Sequence, residues 1–214
     1  VGISCSACHA PHAVHVGRAL VRSAVLPRGT AKTLSIADTT SGVCVACHAP
    51  APDELVPSAS SASLWLGELA LPGPLGAEVR SPPSAHAQLA DGCMSCHGER
   101  ADPADTKTDH SFRVDPRPCR ACHVEDRSDF SSAVLPLRAR ADEVLRRLEG
   151  ACGKSDAQVS SHAGPPAQPC RTVQATRARY LALAVRSDGA AAIHNAPFAR
   201  ALLTEAERAL DASR

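Results

Sequence analysis

The last third of the chain carries apolar residues at the three- and four-residue spacing of amphipathic helices. This spacing predicts three helices, over residues 135–148, 171–186 and 196–212. Gly150 is expected to end the first helix, and Pro197 suits the first turn of the third. The apolar positions that define the helices are Leu137, Val144, Leu145 and Leu148, then Val173, Tyr180, Leu181 and Val185, then Phe198, Leu202 and Leu210.

The first two thirds of the chain show no such period. Residues 49–85 hold seven prolines among Ser, Ala and Gly, interrupted by one apolar patch at residues 64–66, and residues 101–118 are polar. Short helices are expected only after Cys47 and Cys96. The pattern predicts a mostly irregular, loop-rich fold with a few α-helices and little or no sheet, divided near residue 130 into regions 1–130 and 131–214.

Composition adds that the chain is poor in large side chains. Aromatic residues make up 2% of its 214 residues, so they fill little of an interior at protein packing density, and we expect a bound group to supply apolar bulk. The formal net charge of +1 argues against a polyanionic partner such as nucleic acid. No run of about eighteen apolar residues predicts a transmembrane segment. Because Val1 stands four residues before the first Cys, we interpret the chain as a mature exported protein whose signal peptide has been removed.

The pattern C-x-x-C-H occurs four times, at residues 5–9 (motif 1), 44–48 (motif 2), 93–97 (motif 3) and 119–123 (motif 4). It is the attachment signature of c-type haem: the two thiols form thioethers to the porphyrin, and the His ligates iron from the proximal side. The motifs predict four haem c groups and a haem-packed core. The attaching residues are Cys5, Cys8, Cys44, Cys47, Cys93, Cys96, Cys119 and Cys122, and the proximal ligands are His9, His48, His97 and His123.

Two other chemistries use paired cysteines. Four C-x-x-C pairs suffice for two structural zinc sites of four thiolates each, but such sites do not require a His after every second Cys. A redox dithiol would need a thioredoxin-like pattern of strands and helices, which the sequence lacks. Haem attachment is therefore the favoured interpretation.

Cys152 and Cys170 remain outside the motifs. In an exported protein we expect them to form a disulfide that joins the first C-terminal helix to the second, with two free thiols as the alternative. Closing a loop of this length stabilises a fold by about 3 kcal/mol.

The sixth ligands must come from histidines outside the motifs. The single methionine, Met94, lies inside motif 3 and is badly placed to reach an iron, so all four haems are expected to have two His ligands and low potentials. His86 and His110 are each expected to ligate a haem neighbouring the one whose motif follows, with a solvated loop His as the alternative. At least one of His12 and His15 is expected to be a ligand, with His15 favoured. His162 fits a ligand and a surface residue equally well.

Residues 186–203 carry a family resemblance, in the order Asp188-Gly189, then His194-Asn195, then Phe198, then Leu202-Leu203. The segment resembles the entry to the C-terminal helix in many multihaem cytochromes, including the nitrite reductase and hydroxylamine oxidoreductase superfamily. There the His is a distal haem ligand, and the resemblance implies that role for His194. A Ser of the family pattern is Ala190 here.

Size and haem count resemble periplasmic tetrahaem cytochromes and the extracellular tetrahaem cytochromes that polymerise into conducting filaments. The resemblance implies electron transfer rather than catalysis, in the periplasm or outside the cell. It implies redox proteins or extracellular acceptors as partners, and possible homopolymers in which a His of one subunit ligates a haem of the next. The alternative is a multihaem reductase or oxidase with one open haem. No C-x-x-C-K motif is present to support it, and the sole tyrosine, Tyr180, is expected to pack in a helix.

Overall fold

A computed structural model describes residues 8–9, 39–50, 54–57, 59–89, 92–98, 110–114, 118–123, 131–152 and 170–213. In chain order its elements are the helices α1 (Thr39–His48) and α2 (Ser61–Leu66), the strands β1 (Glu68–Leu69) and β2 (Val79–Arg80), and the helices α3 (Met94–His97), α4 (Ser131–Cys152), α5 (Val173–Asp188) and α6 (Ala191–Asp211). The two strands pair antiparallel, with Leu69 opposite Val79. The predicted fold class, loops with a few helices and little sheet, is confirmed for the described residues.

Helices α4, α5 and α6 pack against one another. Helices α4 and α6 each bury one apolar face, whereas α5 has buried residues on all sides. On α4 the buried residues are Leu137, Ala141, Val144, Leu145 and Leu148, which recur at helical spacing. Alanines on α5 and α6 let the helices approach closely around Tyr180 and Phe198. The three predicted helices are therefore present.

The expectation that Gly150 ends the first of these helices is wrong. Helix α4 continues through Gly150 to Cys152. One glycine inside a helix costs only about 1 kcal/mol, and the next turn is held in place because Cys152 forms a disulfide with Cys170, at an S–S distance of 2.05 Å. The disulfide joins α4 to the start of α5, and the backbone N–H of Arg171 also donates to the carbonyl of Ala151 (3.1 Å).

The segment predicted to be loop around residues 64–66 is helix α2, followed by the strand pair. The apolar patch is buried: Leu64, Leu69 and Leu75 belong to the same core as α4, α5 and α6. The Tyr180 hydroxyl donates to the carbonyl of Ala70 (3.2 Å), so Tyr180 packs in a helix as expected. The core thus contains residues from both sides of residue 130. The division into regions 1–130 and 131–214 stays a prediction.

Two short helices lie at the motifs rather than after them. Helix α1 ends at His48 and contains all of motif 2, and helix α3 ends at His97 and contains motif 3 except for Cys93, which is its N-cap. Gly98 follows α3 directly.

Helix α6 has a kink at Asn195, whose φ of −164° and ψ of 85° are not helical. The Asn195 side-chain oxygen accepts a hydrogen bond from the Phe198 backbone N–H (3.1 Å), the geometry of an N-cap, and its nitrogen donates to the carbonyl of Pro82 (3.2 Å). Pro197 therefore sits in the first turn of the long part of α6, as predicted. His194 lies on the short turn immediately before the kink.

None of the helices in the described part of the chain is long and apolar enough to cross a lipid bilayer.

Candidate haem-binding sites

Local helical turns bring the two cysteines and the histidine of motifs 2, 3 and 4 to one side of the backbone. In motif 3 the His97 N–H donates to the carbonyl of Cys93 (2.9 Å), and in motif 4 the His123 N–H donates to that of Cys119 (2.8 Å). Positions i, i+3 and i+4 share one face of such a turn. None of the seven described motif cysteines is paired in a disulfide, and Cys5 of motif 1 lies outside the described residues.

Six of the seven described histidines meet in three pairs. The ring centres of His9 and His110 are 6.0 Å apart, those of His86 and His123 are 6.1 Å apart, and those of His97 and His194 are 6.2 Å apart. Each pair joins one motif histidine to one histidine outside the motifs, and no histidine is used twice. His110 and His86 pair with motifs other than the ones that they precede in sequence.

These separations fit two axial ligands on one iron. Metal–imidazole bonds are about 2 Å long and a ring centre lies about 1 Å behind its coordinating nitrogen, so two axial rings have centres about 6 Å apart. Ordinary ring contacts span about 4.5–7 Å, so one pair alone would decide little. Three pairs of the same composition form a pattern that ring contact does not require.

Hydrogen bonds at Nδ1 orient three of these rings. His86 Nδ1 bonds to the carbonyl of Ile193 (2.9 Å) and His97 Nδ1 to that of Phe112 (2.9 Å). His194 Nδ1 bonds to the Asp188 carboxylate (2.7 Å). A metal-ligating imidazole typically donates its other ring N–H in this way. In each case Nε2 is left for a metal.

The electrostatics of His194 follow from its surroundings. Burial alone would lower the pKa of His194, but the hydrogen bond and the charge of Asp188 outweigh burial, so the pKa is raised above its ordinary value. The Asp188 side chain is fully buried (0% exposed) and also accepts a hydrogen bond from the Ser61 hydroxyl (2.6 Å). Asp188 thus holds the ring of His194 from behind.

His48 of motif 2 stands apart from the three pairs. All three described histidines outside the motifs lie against other motif histidines, and His12, His15 and His162 fall outside the described residues. Burial lowers the pKa of His48, and its electrostatic interactions with His97 and His194 lower that pKa further. Motif 2 is therefore close to the His97–His194 pair.

Motifs 2 and 3 also touch through their first cysteines. Cys93 and Cys44 share a hydrogen bond, which lowers the pKa of the Cys93 thiol to about 7 and raises that of Cys44. The Cys93 backbone N–H donates to the Ser41 hydroxyl (3.1 Å). Gly92, with a φ of 51°, permits this approach, because a Cβ there would lie 2.0 Å from the Ser41 oxygen. The two attachment sites share one corner of the fold.

Among the described residues, the buried aromatic side chains lie on helices α2, α5 and α6. Trp65, Tyr180 and Phe198 are buried there, whereas Phe112, beside His110, is 47% exposed. In the described segments around motifs 3 and 4, the cysteines and histidines are half-buried or exposed. A large apolar group bound at these motif segments would therefore fill space that the side chains described there do not fill.

The geometry of the described residues gives no support to a zinc site. Within the described ranges, no three His, Cys, Asp or Glu side chains converge as ligands of one metal ion. A structural zinc site needs four such ligands arranged tetrahedrally. The histidines instead meet two at a time, which matches the two axial positions of haem iron.

Comparison with known proteins gives one result about the fold. No protein-family model matches the chain, and no curated protein matches it. Among solved structures it matches an undecaheme cytochrome from the S-layer of Carboxydothermus ferrireducens, with a TM-score of 0.57 and 19% sequence identity over 99% of this chain. The chain has a multihaem cytochrome fold. It spans 32% of the length of that undecaheme cytochrome.

Sequence reasoning found every histidine of the three pairs but not their partners. It missed Asp188, Ser61 and the carbonyls of Ile193 and Phe112 as groups that orient the rings. For Asp188 a signal was available, since it opens the segment that resembles the helix entry of multihaem cytochromes. Backbone carbonyls carry no sequence signal.

Proposed function

We propose that the chain transfers electrons through four covalently attached haem c groups. The observation that carries this proposal is the set of three histidine pairs with ring centres 6.0–6.2 Å apart, each with one motif histidine. Bound haem iron supplies the one-electron redox change. The protein attaches the groups, sets their axial ligands and holds them close together.

On the basis of the pairs, we propose distal ligands for three of the four sites. His110 would complete the site of motif 1, His194 that of motif 3 and His86 that of motif 4. The distal ligand of motif 2 would be His12, His15 or His162, from the same chain or from a second copy. Because imidazole stabilises ferric iron, two His ligands give low potentials.

Motif 3 is proposed as the junction of the four sites. The carbonyl of Phe112 accepts a hydrogen bond from His97, and Phe112 lies two residues from His110 of the motif 1 pair. The Cα atoms of Phe112 and His110 can be at most about 7 Å apart. Ile193, which binds His86 of the motif 4 pair, is the neighbour of His194. Motif 2 reaches motif 3 through the contact of Cys44 with Cys93. Electrons would therefore pass between the other three sites by way of motif 3.

We propose that the protein works outside the cytoplasm, where its disulfide is stable, and exchanges electrons with redox proteins or extracellular acceptors. Assembly into a homopolymer, with a histidine of one copy ligating the motif 2 haem of the next, is a second form of the same proposal. Images of negatively stained protein separate the two forms: filaments support the polymer, and a uniform field of small particles contradicts it.

Haem counting tests the proposal directly. The protein is produced in a host that matures c-type cytochromes, and haem per chain is measured by pyridine haemochrome absorbance and by mass. We expect four haems in the wild type and three after Cys93→Ala and Cys96→Ala. The same double change at Cys152 and Cys170 is the matched control and should leave four. A chain that binds zinc and no haem would refute the proposal.

Carbon monoxide separates electron transfer from the alternative, a reductase or oxidase with one open haem. The observation that favours the alternative is that His48 has no ligand partner among the described histidines. Full ligation predicts no spectral change when the reduced protein meets carbon monoxide. A shift in one haem of four, abolished by changing His48, would favour the open site at motif 2.

A further inference from the structure

The carboxylate of Asp188 binds a proposed haem ligand. Asp188 is the last residue of α5, and its side chain turns back to His194 on the first turn of α6, with an Oδ1–Nδ1 distance of 2.7 Å. The same oxygen accepts the hydroxyl of Ser61 on α2 at 2.6 Å. Three helices thus meet at one buried oxygen atom.

This arrangement differs from that of the other two oriented rings. His86 and His97 bind neutral backbone carbonyls at 2.9 Å, whereas His194 binds a carboxylate at the shorter distance. Hydrogen bonds to ionised acceptors are shorter and about twice as strong as neutral ones. A carboxylate behind a metal-bound imidazole raises the basicity of that ligand.

Burial strengthens the effect of the charge. The Asp188 side chain has 0% exposed surface, and within the described part of the chain its second oxygen, Oδ2, has no hydrogen-bond partner. Water therefore screens the charge little. A more basic imidazole stabilises ferric iron relative to ferrous iron. A nearby, poorly screened negative charge does the same, so the two effects add.

We propose that Asp188 is a positioning residue that lowers the reduction potential of the haem attached at motif 3 by acting through His194, an inference that rests on the proposed function. Ser61 opposes this effect, because its hydroxyl withdraws charge from the oxygen that His194 uses. The two residues therefore set the potential in opposite directions.

Three variants test the inference by spectroscopic redox titration of the haem-loaded protein. Asp188→Asn keeps the shape and the acceptor for His194 but removes the charge, so one of four redox components should move to higher potential. We expect at least a tenfold change in its one-electron equilibrium constant, equivalent to about 59 mV. The low-spin EPR signal of the same component should change.

Ser61→Ala should move the same component to lower potential, and it tests the inference by itself where Asp188→Asn fails to fold. Asp142→Asn is the matched control, because this exposed carboxylate pairs with Arg186 rather than with a histidine. It should leave all four components in place.

Haem counts distinguish the two possible failures. Four haems with no shifted component in Asp188→Asn would overturn the role of Asp188 and leave the proposed function standing. Shifts of equal sign in Asp188→Asn and Ser61→Ala would also overturn it, because packing and not charge would then be responsible. A wild-type chain without haem at motif 3 would overturn the proposed function itself.

Discussion

Replacing Asn195 by alanine removes two hydrogen bonds at the kink that precedes the long part of α6. The first is the cap on the Phe198 N–H, and Phe198 is completely buried, so water does not replace it. The second is the bond to the carbonyl of Pro82, an exposed residue that water partly satisfies. We assign about 1–2 kcal/mol to the lost cap and about 1 kcal/mol to the lost second bond. Asn195→Ala should therefore lower the free energy of unfolding by about 2–3 kcal/mol.

Asn195→Ser is the matched variant, since serine is also a good N-cap but does not reach Pro82. It should cost about 1 kcal/mol. Guanidinium unfolding of both haem-loaded proteins, followed by far-ultraviolet circular dichroism, gives the two values. A cost below about 0.5 kcal/mol for alanine, or equal costs for the two variants, would refute the reasoning that Asn195 caps α6. Because His194 precedes Asn195 directly, the alanine variant should also broaden the EPR signal of the haem at motif 3.

Three further predictions concern single positions. Gly67→Ala should destabilise the fold by about 1–3 kcal/mol, because φ is 73° and a Cβ would lie 2.5 Å from a carbonyl oxygen. Gly150→Ala should stabilise the fold by about 0.5–1 kcal/mol, because a Cβ there meets open space inside α4. Shifts of the same sign in the two thermal unfolding temperatures would contradict this prediction. His86→Ala should let the reduced protein bind carbon monoxide at one haem of four, and an unchanged spectrum would count against the His86–His123 pair. The hydrogen bond from Arg140 lowers the pKa of Glu207. The contribution of this ion pair to the free energy of unfolding is therefore fully present above the ordinary pKa of 4.5, and it is lost as the pH falls through the lowered pKa. Glu207→Gln should flatten this part of the stability curve, and identical curves for the two proteins would show that the ion pair is not responsible.

Local pattern sufficed for the helical part of the fold. The spacing of Leu137, Val144, Leu145 and Leu148 predicts α4 because helix periodicity is a property of neighbouring residues, and all four are buried. Its end was misplaced because Gly150 was taken as a stop signal, although a glycine inside a helix costs only about 1 kcal/mol and the helix continues to the disulfide at Cys152. Helix α2 was missed because six residues form no stable helix alone, and Leu64 is buried because distant elements, α5 and α6 among them, pack against α2.

The candidate sites show the same difference between features set by neighbouring residues and features set by the folded chain. Each motif is local, so its cysteines and proximal histidine are readable from sequence. The pairs cannot be read in this way, since His9 lies far from His110 along the chain and His97 lies almost as far from His194. Any of the six other histidines fits any motif on spacing alone, and only the folded chain selects among them.

The helical region does more than support the motif segments. It supplies His194 from α6, Asp188 from α5 and, through α2, Ser61, and the same three helices pack in one apolar core. A change in that packing would move the carboxylate relative to the imidazole, and the distance between them decides how far the ligand is polarised. The potential at motif 3 would then depend on core residues that touch no haem ligand. Since motif 3 is the proposed junction, the packing of the helical core would set the energy of the step that every electron crossing the chain must take.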